Sequence, residues 1–283
     1  MYALTKQHMI TDRSVAHYGD YPKFAAVMPP QLMQALRSRV AQGPASLGMY
    51  HLLLAHDVVE PKNRYAYRDI FKYGMHDAFT IMDNSLIELG RSVDTATMAE
   101  ACRVVMPDVV VLPDVLGDYR ATIHDSADAL NNWRRTGMNS FAVVLQGKNS
   151  KEITAVMNAF KFVREVTMWC IPRHLTMMTG SREDAVRLVH IEDPTRPIHL
   201  LGFSDNVRDD IKCARLAGVS GIDSTAPVRA AIAGVCIENL IAGRFTEPRG
   251  TYWGDQIDPN SMAIDRIRLM LRDVRKILMS GMI

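Results

Sequence analysis

Short apolar runs that end on a polar residue recur along this chain. Phe79-Thr80-Ile81-Met82 runs into Asp83, and Val109-Val110-Val111-Leu112-Pro113 into Asp114. Ala142-Val143-Val144-Leu145 runs into Gln146, and Val219-Ser220-Gly221-Ile222 into Asp223. The first three polar ends, at positions 83, 114 and 146, are spaced by 31 and 32 residues. That is the length of one strand–helix unit. The pattern predicts strands at 49–55, 79–82, 109–112, 141–145, 167–171, 198–201 and 219–222. Between them, apolar positions at helical spacing predict helices at 94–106, 119–135, 150–165, 181–191, 205–217, 226–242 and 260–280. Caps stand at their heads: Asp94 or Thr95, Asn149 or Ser150, and Ser181 with Asp184 three residues on. Residues 56–78, polar and aromatic, read as a loop or short helix on the rim where the strands end. Residues 1–48 read as an irregular N-terminal extension. Within it Met28-Pro29-Pro30 heads a helix that begins with Gln31-Leu32-Met33, and Gly43-Pro44 closes it.

The strands are apolar throughout rather than alternating, as parallel strands covered on both faces must be. The expected fold class is α/β: a (β/α)8 TIM barrel, one domain over residues 1–283, with a C-terminal helix and no zinc subdomain. Seven strands are legible, and the eighth falls either within residues 10–25 or near Thr251-Tyr252-Trp253. The competing architecture is an open doubly wound sheet. No Gly-rich phosphate loop follows any strand, which weakens it. In a barrel, the carboxyl ends of the strands form the rim that carries chemistry.

Composition adds exclusions. At 48% hydrophobic and 23% charged the chain is an ordinary globular one, and a formal net charge of +2 neither demands nor excludes a nucleic-acid partner. Arg266, Arg268, Arg272, Arg275 and Lys276 cluster near the C-terminus. Ile264, Ile267, Met270, Leu271, Val274 and Leu278 interleave with them, so the cluster reads as the solvated face of an amphipathic helix. Cys102, Cys170, Cys213 and Cys236 are far apart in apolar surroundings and read as buried thiols of a reduced protein. No run approaches membrane-spanning length and the N-terminus lacks an apolar signal core, so the expected location is the cytoplasm.

Each polar strand end has a bland reading and a chemical one. Asp83, before Asn84-Ser85, and Asp114, after Pro113, could be turn carboxylates. Asp223 could cap the helix that starts at Ala226-Pro227. Gln146 both donates and accepts, which suits the edge of a heterocycle. Their recurrence at the same end of successive strands favours chemistry. Carboxylates on a barrel rim suit either covalent displacement at an anomeric carbon or a divalent metal. The other strand ends, Pro172-Arg173 and Gly202, supply no strong ligand, so sugar chemistry fits better.

Five segments together carry a resemblance: Met82-Asp83-Asn84-Ser85, Leu112-Pro113-Asp114, Leu145-Gln146-Gly147, His199-Leu200-Leu201-Gly202, and Gly221-Ile222-Asp223-Ser224-Thr225-Ala226-Pro227-Val228-Arg229. In that order, over residues 79–235, the chain resembles the tRNA-guanine transglycosylase superfamily, and most of all its branch that places 7-deazaguanines in phage and bacterial DNA. The most specific element is the Asp-x-x-x-Pro-x-Arg spacing from Asp223 to Arg229. The resemblance implies a (β/α)8 barrel that exchanges guanine for a free 7-deazaguanine base without cutting the polynucleotide, and it implies no cofactor. Asp223 would be the nucleophile and Asp83 the general acid/base. Asp114 would bind the amino-pyrimidine edge of the base, and Gln146 with Gly147 its carbonyl edge. Asn84, Ser85, Pro172, Arg173 and Gly202 would line the pocket, and Arg229 would meet a phosphate or brace the nucleophile loop.

The chain also departs from the family pattern. The tRNA enzymes carry a Cys-x-Cys-x-x-Cys and His zinc site after the nucleophile, whereas residues 236–283 here hold Cys236 alone and no His. No metal is expected. The family's Ser-Gly-Gly after the acid/base is Asn84-Ser85-Leu86, and Cys170-Ile171-Pro172-Arg173 replaces a Gly-rich strand end. These losses favour DNA, with a flipped or single-stranded guanine, over tRNA. Three other readings stay open: a zinc-less tRNA enzyme, a barrel transferase or hydrolase for a small nucleoside or sugar, and a non-catalytic barrel used for binding or assembly. His51, His56, Tyr65, Tyr67 and Arg68 are further candidates for the DNA side of the rim.

Overall fold

The computed structural model describes residues 22–38, 48–75, 77–175, 181–246 and 262–282. Eight parallel strands form its centre: β1 (Lys23–Ala26), β2 (Tyr50–Leu54), β3 (Phe79–Asp83), β4 (Val109–Val111), β5 (Phe141–Val144), β6 (Val166–Pro172), β7 (Ile198–Leu201) and β8 (Val219–Ser224). Hydrogen-bonded ladders run from β2 in order to β8 and on to β1. β1 and β2, at the two ends of that series, lie against each other, so the barrel is nearly closed. Helices flank it, and the fold is a (β/α)8 TIM barrel with a C-terminal helix, Met262–Ser280.

Side-chain alternation builds two apolar layers from one set of strands. Leu52, Leu54, Phe79, Ile81, Val109, Val111, Ala142, Val144, Met168 and Cys170 pack together inside the barrel. Their neighbours Leu53, Met82, Val110, Val143, Trp169 and Leu200 pack outward beneath the helices. Both faces are therefore dry, which is why the strands read as unbroken apolar runs. Two residues past Ile81, Val144, Cys170 and Gly221, the inward register reaches Asp83, Gln146, Pro172 and Asp223.

The predicted caps form. Asp94 accepts from the Thr97 N–H, Asn149 from Glu152 and Ser181 from Asp184. The C-terminal helix buries Ile264, Ile267, Met270, Leu271, Val274 and Leu278 against helix Ala226–Ile232 and β1, and leaves Arg266, Arg268 and Arg272 exposed. The eighth strand is β1, at the end of the first of the two predicted windows. Part of the expected extension is thus barrel, since Pro30–Ser38 follows as its helix. Lys-Phe-Ala-Ala is short and half alanine, a weak strand signal that pairing with β8 overrides. The second window, Thr251–Trp253, and the turn at Gly43-Pro44 lie outside the described residues. The helix expected at 226–242 is broken in two, Ala226–Ile232 and Ile237–Ile241, by Gly234 in the left-handed region (φ +75°). Cys236 sits at that break and is exposed, not buried, while Cys170 and Cys213 are buried and Cys102 partly so. Residues 55–74 are helical and pack on helix Thr95–Val105.

One buried ion pair ties the strand ends together. The Arg182 guanidinium, 2% exposed, donates to the carbonyls of Ile171, Leu201 and Gly202 and to Asp210 Oδ1 at 2.7–2.8 Å. The other Asp210 oxygen accepts from the backbone N–H and hydroxyl of Ser204. Removing the cation strands a buried carboxylate. Arg182→Met is expected to lower unfolding stability by about 3–5 kcal/mol in urea titrations. Replacing Asp210 by Leu in the same chain should recover part of that loss. A single variant as stable as the parent would show that the pair does not brace the rim.

Candidate active site

The carboxyl ends of the strands surround a cavity of about 510 Å³, within the ~300–1,000 Å³ usual for small-molecule sites. Leu52, Leu54, Val144 and Leu201 give it an apolar floor. Asp83, Asn84, Asp114, Gln146, Pro172, Arg173, Gly202, Asp223 and Arg229 all line it. The barrel thus brings together side chains that lie up to the span of residues 83–229 apart in sequence. Ser85 and Gly147, predicted for the pocket, stand behind its wall. Ser85 is fully buried, and a side chain at Gly147 would come within 2.9 Å of the Glu152 Cβ. Gly147 therefore lets its loop close onto the helix Ser150–Phe160 rather than facing the cavity.

Asp223 ends the inward register of β8. Its Oδ1 accepts from the Gly202 N–H at 3.2 Å and lies 3.0 Å from His199 Nε2. Gly202 supplies that N–H from a left-handed turn (φ +71°), where a side chain would press on the Arg173 Cδ at 3.3 Å. No bond from the described residues is recorded at Oδ2, which leaves one carboxylate oxygen for a reacting partner.

Asp83 lies in a different environment. Its Oδ2 accepts from the Ser85 N–H at 2.7 Å. Ser85 adopts a left-handed conformation (φ 63°), uncommon for a residue with a side chain, and it turns that N–H back onto Asp83. Burial, and then the negative charges of Glu88, Asp114 and Asp223, push the Asp83 carboxyl well above the ordinary carboxylate range. Asp83 is thereby biased toward its protonated, neutral form.

Asn84, Asp114 and Gln146 form one network across three strand ends. Asn84 Nδ2 donates to Asp114 Oδ1 (2.7 Å) and to the Leu112 carbonyl (2.8 Å), and Gln146 Nε2 donates to Asp114 Oδ2 (2.6 Å). The Gly117 N–H donates to Gln146 Oε1 (3.0 Å), which sets the orientation of that amide. Burial raises the Asp114 pKa, and the two amide donors oppose that shift. Each Asp114 oxygen carries one hydrogen bond and keeps a lone pair for a ligand N–H.

Residues to which the sequence reading gave no role stand at the cavity or beneath it. Glu88 stands exposed at its mouth, its pKa raised by loss of water and by Asp223, with Arg173 opposing the rise. His174 places Nε2 3.1 Å from Gln146 Oε1. Its pKa is lowered by burial and by Arg173 and Arg182. His199 is fully buried beneath Asp223. Glu88 lies in a short helix and His199 inside an apolar strand, so neither ends an apolar run. Of the earlier rim candidates, His51 is buried against Phe71 and bonds the Gly48 carbonyl, and Tyr67 is buried on Asp57. Both are structural. Tyr65 is exposed, with the Arg68 guanidinium over its ring, and the His56 N–H donates to Ser85 Oγ.

Among the described residues no three His, Cys, Asp or Glu side chains are grouped to hold a metal ion, and no helix is long and apolar enough to cross a membrane. The chain matches no protein-family model, and no curated protein matches its sequence.

The raised pKa of Asp83 makes a stability prediction. A neutral Asp83 favours the fold fully below the ordinary value of 3.8, and that contribution is lost as pH rises through the folded-state value. Asp83→Asn, neutral at every pH, should raise the thermal midpoint at pH 8 and change it little at pH 4. A variant that melts no higher than the parent at pH 8 would contradict the assigned environment.

Proposed function

We propose that this chain is a glycosyltransferase that exchanges a guanine base in DNA for a free 7-deazaguanine through a covalent aspartyl–DNA intermediate. The observation that carries the reading is the contrast between two carboxyl groups on one cavity. Among the described residues Asp223 has one oxygen clamped and one without a bonded partner, while Asp83 is pushed toward its neutral form. A carboxyl group biased toward its neutral form beside a carboxylate oriented by two donors suits the roles of acid and nucleophile.

The chemistry follows from that contrast. Asp223 Oδ2 attacks the anomeric carbon of the deoxyribose as the bond to the base nitrogen breaks, and the Asp83 carboxylic acid gives its proton to the departing guanine. A glycosyl ester to Asp223 and an Asp83 carboxylate result. The incoming deazaguanine loses its ring-nitrogen proton to Asp83, its nitrogen attacks the anomeric carbon, and Asp223 leaves as a carboxylate. Two displacements retain configuration and return every proton, so no cofactor is consumed.

The remaining residues fit recognition. Asp114 accepts from the ring N–H and exocyclic amine of the base, and the second Nε2 hydrogen of Gln146 donates to its carbonyl. The carbonyl edge falls to Gln146 alone, since Gly147 is off the cavity. Arg173 and Arg229 at the wall suit phosphates flanking an extruded nucleotide. Ile87 and Leu89, exposed beside the mouth, have the apolar character of side chains that wedge between base steps. DNA is favoured over tRNA because the cysteine and histidine pattern of the tRNA enzymes is missing after residue 236.

The test offers labelled 7-deazaguanine with duplex DNA, single-stranded DNA or tRNA, and resolves products on a denaturing gel. Label is expected in DNA, with a protein–DNA adduct that Asp223→Ala abolishes. Asp83→Asn should slow adduct formation by ~10²–10⁴-fold, the usual contribution of a positioned acid. Label in tRNA alone would overturn the DNA assignment. Release of free sugar from nucleosides without an adduct would favour the small-substrate reading.

A further inference from the structure

The inward layer just below the cavity carries two polar rings among mostly apolar side chains, with the Ser220 hydroxyl in hydrogen-bonding reach of Tyr50. Tyr50, at the start of β2, stacks on Phe79 with ring centroids 5.4 Å apart. Its hydroxyl lies 2.8 Å from His199 Nδ1, and the other ring nitrogen of His199 lies 3.0 Å from Asp223 Oδ1. His199 is 0% exposed and Tyr50 3%. Around them stand Phe79, Ile81, Ala142, Met168 and Cys170, which have no strong hydrogen-bonding side-chain group. Phe or Leu at either position would fill such a layer, so a polar chain that ends on the proposed nucleophile calls for a reason.

The chain of bonds has a direction. Asp223 accepts, so His199 presents Nε2–H to it, and in the tautomer with a single ring hydrogen Nδ1 carries the lone pair. Nδ1 must then receive a hydrogen, and the Tyr50 O–H is its donor. Burial pushes the Tyr50 phenol up, so it keeps that proton. Gly221 makes the arrangement possible. A Cβ there would lie 2.7 Å from Tyr50 Cε1 and 3.0 Å from the Lys23 carbonyl. The ring can pass over β8 to reach His199 only because this position has no side chain.

We infer that His199, locked by Tyr50 in its Nε2–H tautomer, is a positioning residue that works with the Gly202 N–H as a two-donor clamp on Asp223 Oδ1. This rests on the proposed covalent role of Asp223. The clamp fixes which oxygen reacts. Oδ1 is held, so Oδ2 bonds to the sugar. In the ester Oδ1 is the carbonyl oxygen, and when the incoming base expels the aspartate, negative charge returns to that atom. Donors already aimed at the atom that gains charge favour that second step without rearrangement. The proton stays on Nε2 throughout, so His199 exchanges none with the substrate.

Two measurements test the clamp. In single-turnover reactions, His199→Phe should slow resolution of the adduct by ~10²–10³-fold, as loss of one preorganised donor does elsewhere, and slow its formation less, through lost orientation of Asp223. His199→Gln, which keeps an N–H, should fall between it and the wild type. Tyr50→Phe and Gly221→Ala should each slow the same steps. The dissociation constant for free deazaguanine should stay at the wild-type value in all four, because the Asn84–Asp114–Gln146 network is untouched. Independently, nitrogen NMR of histidine-labelled wild-type protein should show His199 protonated at Nε2 and bare at Nδ1, with Nδ1 shifting in Tyr50→Phe. Wild-type rates in His199→Phe, or a proton on Nδ1, would overturn the inference. If the wild type forms no adduct, the function proposed above falls. The NMR result then decides the clamp alone, and it needs neither activity nor the folding of a His199 variant.

Discussion

A parallel strand turns its side chains alternately to two sides, and a ring of eight such strands points every second residue at one axis. That register governs the whole molecule. While it passes through the middle of the barrel it selects apolar residues, and Leu52, Ile81, Val111, Val144 and Met168 close the interior. Where it reaches the carboxyl ends it selects Asp83, Gln146 and Asp223. A slip of one residue in any strand would exchange its inward and outward sets, which would put a carboxylate beneath a helix and open the floor of the cavity.

Gathering carboxyl groups around one cavity costs free energy, and the fold offsets that cost unequally. Asp114 receives two amide donors from neighbouring strand ends, and Asp223 a backbone N–H and an imidazole. Asp83 receives one backbone N–H and the repulsion of its neighbours. The inequality is useful: a carboxyl group short of donors keeps its proton, and one well supplied stays oriented. An unsatisfied buried polar group costs roughly 1–3 kcal/mol, so the donors are as much a part of the site as the carboxylates.

The rim is held rigidly from below as well. Arg182 gathers three carbonyls at the ends of β6 and β7, and one of them belongs to Gly202, whose N–H meets Asp223. The network Asn84–Asp114–Gln146 ties β3, β4 and β5 in the same way. Five of the eight strand ends are thus positioned by buried polar side chains, and β8 is positioned through Asp223 itself. Short rim loops would otherwise leave the spacing of Asp83 and Asp223 to chance, and displacement chemistry is sensitive to such spacing.

Seven of the strands, the caps at Asp94, Asn149 and Ser181, and the buried face of the C-terminal helix are legible in the chain because each depends on neighbours a few residues away. The polar ends at Asp83, Asp114, Gln146 and Asp223 are legible for the same reason, as breaks in local apolar runs. β1 is not, because Lys-Phe-Ala-Ala becomes a strand only when β8 offers it a ladder. Glu88 and His174 enter the cavity from short helical turns whose course the barrel sets. The link from Tyr50 through His199 to Asp223 spans 149 and then 24 residues of sequence. An aromatic and a histidine inside apolar strands look like ordinary core. Closure of the ring places the first strand-borne Tyr beside the seventh strand, and only that long-range packing turns two core residues into the support of a carboxylate.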